Sequence, residues 1–228
     1  MRGDNIAIAV AEAFRGDGAI MASPMGAMPR LGAQLAQATF EPDLMLTDGV
    51  ATVVDLAGQR QGWMPFSRVF DTLWGGRRHV MMGASQIDRF GNQNISAVGP
   101  YDRPKVQLLG VRGAPGNTVC HPTSYFVGRH SKRIFVPEVD VVCGVGTNNG
   151  AFEIRRVITN LGVFDFISED GAMHLVSLHP GVSVDDVIEA TGFEVHIGEV
   201  TTSRAPTEKE ASWLECLDPE RVIRRSVD

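Results

Sequence analysis

The chain has 228 residues, 43% of them hydrophobic, and carries 21 Lys and Arg against 27 Asp and Glu for a net charge of -6. That length and apolar content suffice for a sizeable core, and the acidic balance excludes a nucleic-acid role, which needs a basic face to meet phosphates. Apolar runs fall short of the roughly 18 to 20 residues of a membrane span, and Arg2, Asp4, Glu12 and Arg15 interrupt any N-terminal signal sequence, so the expectation is a soluble, cytoplasmic protein.

Helical spacing of Ile6, Ile8, Val10, Ala11 and Phe14 predicts a helix over residues 4–14, with Asp4 as N-cap and Gly16 or Gly18 as its stop. Residues 19–22 read as a short buried strand ended by Ser23-Pro24. Leu31, Leu35 and Ala38 place a second helix over 27–40, and residues 43–47 form a strand that runs into Asp48-Gly49. Helix alternating with strand predicts an open, mostly parallel α/β sheet with helices on both faces. A short strand over 51–55, a glycine- and glutamine-rich loop over 58–65, and a helix over 66–74 with Phe66, Val69, Phe70 and Leu73 on one side follow.

Residues 80–94 are the stretch around which the chain is organised. An apolar strand runs into Gly83-Ala84, followed by Gln86, Asp88, Gly91, Asn92 and Asn94. In open α/β sheets, ligands bind beyond the carboxyl ends of strands. There Gly83 and Ala84 let backbone N–H groups approach a ligand, while Gln86, Asp88 and Asn94 offer polar groups. The competing reading is a polar hairpin in which Asp88 and Asn92 cap their own turn. A strand over 106–109 leads to a second small-residue loop over 110–117, which includes Arg112, Gly113, Gly116 and Asn117; the two loops face each other if their strands share a sheet.

Strands are predicted over 121–127, 133–136 and 140–145, with a third small-residue loop over 144–150. Residues 156–166 and 173–178 read as paired strands about the turn Glu169-Asp170-Gly171. A helix over 184–190 has Ser183 as N-cap with Asp185 and Asp186 in its first turn, and a polar-faced helix over 207–213 precedes a frayed end. With no repeat or linker, residues 1–228 read as one domain.

None of the six histidines stands in a metal-ligand spacing, so no metal is expected, and a Ser-His-Asp triad lacks a GxSxG elbow to place its nucleophile. Asp48, Asp88 and Asp165 are the carboxylates nearest the expected crevice, each a general base or a turn cap. Cys120, Cys143 and Cys216 make neither a disulfide framework nor a CxxC pair and read as reduced, mostly buried thiols. The basic pairs Arg77-Arg78, Lys132-Arg133, Arg155-Arg156 and Arg224-Arg225 read as solvated, with one small phosphorylated ligand as the alternative.

Several ordered motifs carry a resemblance: Gly83-Ala84-Ser85-Gln86-Ile87-Asp88 with Gly91-Asn92-Gln93-Asn94, Val157-Ile158-Thr159-Asn160-Leu161-Gly162-Val163-Phe164, Leu178-His179-Pro180-Gly181-Val182, Asp186-Val187, and Ala190-Thr191-Gly192-Phe193. From Leu31 to Phe193 the chain resembles the beta subunit of family I CoA-transferases of the glutaconate type, and within them most of all the beta chains of actinobacterial steroid-ring hydrolases. The resemblance implies an α/β subunit paired with a homologous alpha chain, as α2β2, with acyl-CoA between them and no further cofactor. Transferases of this family attack the thioester with a glutamate in a Glu-x-Gly motif. The matching place here is Thr47-Asp48-Gly49, so Thr47 stands where the glutamate would be.

A hydroxyl is a poor substitute for a carboxylate that must form an acyl anhydride. The chain is therefore expected to supply no catalytic residue of its own. Its partner's carboxylate would activate water for hydrolytic carbon–carbon cleavage of a cyclic β-dicarbonyl acyl-CoA in steroid breakdown. The alternatives are a true CoA-transferase subunit using Asp48 as nucleophile, or a non-catalytic structural subunit. Thr47, Asp48, Gly83, Ala84, Gln86, Gly113, Gly116 and Asn117 are the expected substrate-binding residues.

Overall fold

The computed structural model describes residues 2–111 and 113–227. The side chains of Phe66, Val69, Phe70, Thr72 and Leu73 lie outside the described residues, and with them the expected apolar side of the helix over 66–74; so does Arg112 in the second loop.

Chain order begins with α1 (Arg2–Glu12), β1 (Met21–Pro24), α2 (Ala27–Thr39), β2 (Met45–Leu46), a hairpin of β3 (Thr52–Val54) and β4 (Arg60–Trp63), α3 (Phe66–Gly75) and β5 (Arg78–Met82). Four short strands follow, β6 (Gln86–Ile87), β7 (Gln93–Asn94), β8 (Ala97–Val98) and β9 (Val106–Gln107), then α4 (Ala114–Cys120) and β10 (Pro122–Val127). A long loop leads to β11 (Glu153–Thr159), β12 (Gly162–Asp165), β13 (His174–Leu178), α5 (Val184–Ala190), β14 (His196–Thr202), α6 (Glu208–Leu217) and α7 (Val222–Arg225).

Eight strands of the described residues make one sheet in the order β14-β13-β12-β11-β10-β5-β1-β2. Neighbours are parallel except at β11–β12 and β12–β13. Successive strand residues feed opposite layers, as the two-residue period requires. Met81, Ile158 and Val163 pack under α1, α2 and α6, whereas Val80, Met82, Val157 and Phe164 face a second layer that includes Ala114 of α4 and Val187 of α5. At Gly32 the first two helices meet so closely that a Cβ would overlap Val10.

Several expectations change. Asp4 is not an N-cap: α1 already starts at Arg2, and the Asp4 carboxylate accepts from Arg221 and Arg224. The loop over 58–65 contains β4, which pairs with β3. Residues 133–136 and 140–145 form no strands; Phe135 and Gly144 make single bridges to Ile87 and Gln93, and this apolar segment covers the sheet face instead of joining it. A turn at 160–161 makes residues 156–166 two strands, β11 and β12, and β12 pairs with β13 across the 166–173 connection. The edge strand β14 went unread because six of its seven residues are exposed, which leaves no buried period to detect.

The end of the chain is not frayed. Arg224 is 1% exposed and reaches Asp4, Asp218 and Glu215 at 2.9–3.1 Å, so the pair Arg224-Arg225 is not simply solvated. The thiols are not mostly buried: Cys143 is, Cys120 is half-buried and Cys216 is exposed, all three free. No helix among the described residues is long and apolar enough to cross a membrane.

Candidate functional site

Parallel strands β1, β2 and β5 end at the same side of the sheet, and the turns that follow them converge with α4 on a cleft of about 760 Å³. Asp48, Gly49 and Val50 come from the turn after β2, Gly83, Ala84 and Ser85 from the turn after β5, and Gly113, Ala114 and Asn117 from the start of α4. The segment 113–117 is thus largely a helical turn rather than a loop, with Gly113 as N-cap. Gly49 has φ 88°, and a Cβ there would stand 2.6 Å from the Pro24 carbonyl oxygen, so only glycine lets this turn close on the end of β1.

Five of the eight expected binding residues meet here: Asp48, Gly83, Ala84, Gly113 and Asn117. Thr47, Gln86 and Gly116 are not among the lining residues. Thr47 is 1% exposed; its hydroxyl donates to the Ala22 carbonyl at 2.8 Å and accepts from Gly49 N–H at 3.2 Å. Gln86 Nε2 donates to Asp140 at 2.8 Å while its Oε1 accepts from Asn94 at 2.6 Å, which makes it a brace beneath the cleft.

Residues 80–94 therefore divide. Gly83 to Ser85 face the cleft, whereas Asp88 caps its own turn through Phe90 and Asn92 N–H, each at 3.0 Å, and holds Asn92 Nδ2 at 2.8 Å. Asn92 in turn accepts from Gly146 N–H at 2.8 Å and pins the third small-residue loop. Burial raises the Asp88 carboxyl against these hydrogen bonds.

Of the three carboxylates placed near the crevice, only Asp48 borders it; Asp88 belongs to the brace, and Asp165 pairs with His174 at 3.1 Å elsewhere. Asp48 Oδ1 accepts from Val50, Ala51 and Thr52 N–H at 2.9–3.1 Å. Burial alone would raise this carboxyl, but the N–H donors outweigh it and hold it below the usual carboxylate range. A carboxylate so engaged is a weak base and a weak nucleophile.

Ser, His and Asp do line up once, with Asp17 Oδ2 2.7 Å from His79 Nδ1 and His79 Nε2 2.9 Å from Ser124 Oγ. His79 and Ser124 are fully buried, so no substrate reaches them and the relay is a core polar network. Among the described residues no group of three His, Cys, Asp or Glu side chains converges as metal ligands.

Sequence reasoning missed Arg78. Taken as half of a solvated pair with Arg77, it is 3% exposed and forms part of the cleft wall. Its Nε donates to Ser23 Oγ at 2.7 Å and its Nη1 to Asn117 Oδ1 at 3.1 Å. Burial lowers its pKa to about 10, which leaves it cationic at neutral pH. The available signal was its place at the head of the strand Arg78-His79-Val80-Met81-Met82, where a charge has to be buried.

Residues 69–190 match the family described as Coenzyme A transferase. The cholesterol ring-cleaving hydrolase IpdB subunit of Mycobacterium tuberculosis is 49% identical over 245 aligned positions, covering 99% of this chain and 98% of that protein. The chain belongs to the coenzyme A transferase family. The crystal structure of Rhodococcus jostii RHA1 IpdAB superposes with a TM-score of 0.94 at 48% identity, covering 100% of this chain and 98% of that one. One of the two chains of the glutaconate CoA-transferase of Acidaminococcus fermentans is 25% identical over 78% of both proteins. The family's α/β fold and the likeness to both the hydrolase and the transferase agree with the sequence reading, and the family match lies within residues 31–193, where the motifs were found.

Proposed function

We propose that this chain, one α/β domain over residues 1–228, is the beta subunit of a heteromeric hydrolase. The hydrolase opens the last steroid rings of a CoA thioester in cholesterol breakdown and acts in the cytoplasm. The observation that carries this reading is the 49% identity, over nearly the whole of both chains, with a cholesterol ring-cleaving hydrolase subunit. The cleft chemistry supports it. Asp48 is the single carboxylate among the described lining residues, and three N–H donors occupy one of its oxygens. Thr47, at the position of a transferase glutamate, is turned into the protein.

The reacting carboxylate then belongs to a homologous alpha subunit, in an α2β2 assembly. It activates a water that adds to the ring ketone carbon. The bond from that carbon to the neighbouring α-carbon breaks, the electron pair spreads onto the thioester oxygen as an enolate, and a proton returns to the α-carbon. Backbone N–H groups at Gly83, Ala84 and Gly113, with Asn117, bind the acyl-CoA on this side. To test the reading, the reconstituted pair is given a 2-oxocyclohexanecarbonyl thioester of CoA and ring opening is followed by mass spectrometry. Gain of one water with the thioester intact is expected; transfer of CoA to a carboxylate acceptor without hydrolysis overturns the reading.

A further inference from the structure

Arg78 is a buried cation for which the described residues supply no counter-charge. Its hydrogen bonds go to two neutral acceptors, Ser23 Oγ and Asn117 Oδ1, and no carboxylate among the described residues pairs with it. The other arginine buried to a comparable degree is ion-paired: Arg224, 1% exposed, meets three carboxylates. A buried charge without a partner carries a large desolvation cost, and one fixed by two neutral hydrogen bonds at a cleft wall has its remaining N–H donors free for a ligand. Nη2 takes no acceptor among the described residues, and the guanidinium lies on the wall of the cleft.

Position along the strand separates this charge from the turn after β5. Arg78 begins β5, and its guanidinium leans along the strand to Ser23, whose register partner is Val80. Gly83 lies three residues beyond Val80, which is about 10 Å along an extended strand. Between the two polar ends the lining includes Met25, Met82, Ala84, Ile95 and Leu109, all apolar. A ligand that fills this space is polar at the end held by the 83–84 turn, apolar in the middle, and anionic at the far end. A bidentate guanidinium fork fits a carboxylate.

We propose that Arg78 is a specificity-determining residue that binds a free carboxylate borne by the acyl group of the substrate, at the end remote from the thioester. This rests on the acyl-CoA reading of the cleft and adds to it the chemistry of the acyl group. Asn117 and Ser23 are positioning residues that hold the guanidinium in place.

The test measures dissociation constants by isothermal titration of the reconstituted complex with two probes. One is a 2-oxocyclohexanecarbonyl thioester of CoA with a carboxymethyl arm; the other is the methyl ester of that arm, of nearly the same shape but uncharged. The native complex is expected to bind the free carboxylate at least tenfold more tightly than the ester, and Arg78→Met to bring the two within twofold, with Arg78→Lys between. Should Arg78→Met fail to fold, Asn117→Asp serves instead: it keeps Arg78 and places a carboxylate on Nη1, so the preference for the charged probe is expected to collapse. A native complex with no preference, or a preference that survives either substitution, overturns the proposal. Because binding is read without turnover, a complex that discriminates but never opens the ring would instead count against the hydrolase reading alone.

Discussion

The Thr47 hydroxyl donates to the Ala22 carbonyl at 2.8 Å, and this bond ties the end of β2 to β1. The residue at the transferase glutamate position is thus a strand-end fastener, 1% exposed. Thr47→Glu is accordingly expected to place a carboxylate where it has neither water nor a cation. It should lower the melting temperature and confer no CoA exchange, whereas Thr47→Val should cost about 1 kcal/mol for the lost hydrogen bond. CoA exchange appearing in Thr47→Glu, assayed with a labelled carboxylate acceptor, would show that the position still faces substrate.

Asp48 stands beside the cleft with one oxygen committed to three N–H donors. Borohydride reduction during turnover is expected to trap no adduct on it, and Asp48→Asn, which keeps an acceptor oxygen, should retain most activity. Asp48→Ala leaves the N–H groups of Val50, Ala51 and Thr52 without that acceptor and is expected to cost about 1–3 kcal/mol, read from urea unfolding. Because its folded pKa is depressed, the stabilisation is present above the ordinary value of 3.8 and fades as pH falls through the folded value.

What could be read ahead of the structure was what neighbours in sequence decide. Ser183 caps α5, with Asp186 N–H to its Oγ at 3.2 Å and Ser183 N–H to Asp186 Oδ2 at 2.8 Å, a contact confined to four residues. Gly83 and Ala84 at the end of an apolar strand likewise announced a strand-end cleft. Arg78 gave no such local sign, since its partners Ser23 and Asn117 lie 55 and 39 residues away and only the sheet brings them together. Gln86 misled for the same reason: a polar side chain near the small turn looked available, but Asp140, 54 residues on, engages it.

The ion cluster at Arg224 predicts that the last turn of the chain stabilises the first. Arg224→Met removes one partner and leaves Asp4 and Asp218 less compensated in a buried setting, which is expected to cost about 3–5 kcal/mol. Arg225→Met, on an exposed position of the same helix, is expected to change little. Comparable losses from both substitutions in chemical denaturation would mean that the cluster contributes nothing beyond ordinary helix packing.

His130 predicts a pH limit to stability. Its ring stacks on Phe135 with centroids 3.6 Å apart, and its nitrogens meet Thr159 and Thr191 hydroxyls at 3.2 and 2.9 Å, with no charge beside it. Burial lowers its pKa to about 3, and burial first of all also lowers His179 to about 4. Both are therefore neutral in the folded chain when the unfolded chain, titrating near 6.5, has begun to take up protons. The unfolded state binds more protons between those values, so stability is full above pH 6.5 and falls as the pH is lowered toward 4. Unfolding free energies measured across that range should show this decline, and His130→Gln, which cannot protonate, should make it shallower. An unchanged slope in that variant would mean that His130 is charged in the folded protein.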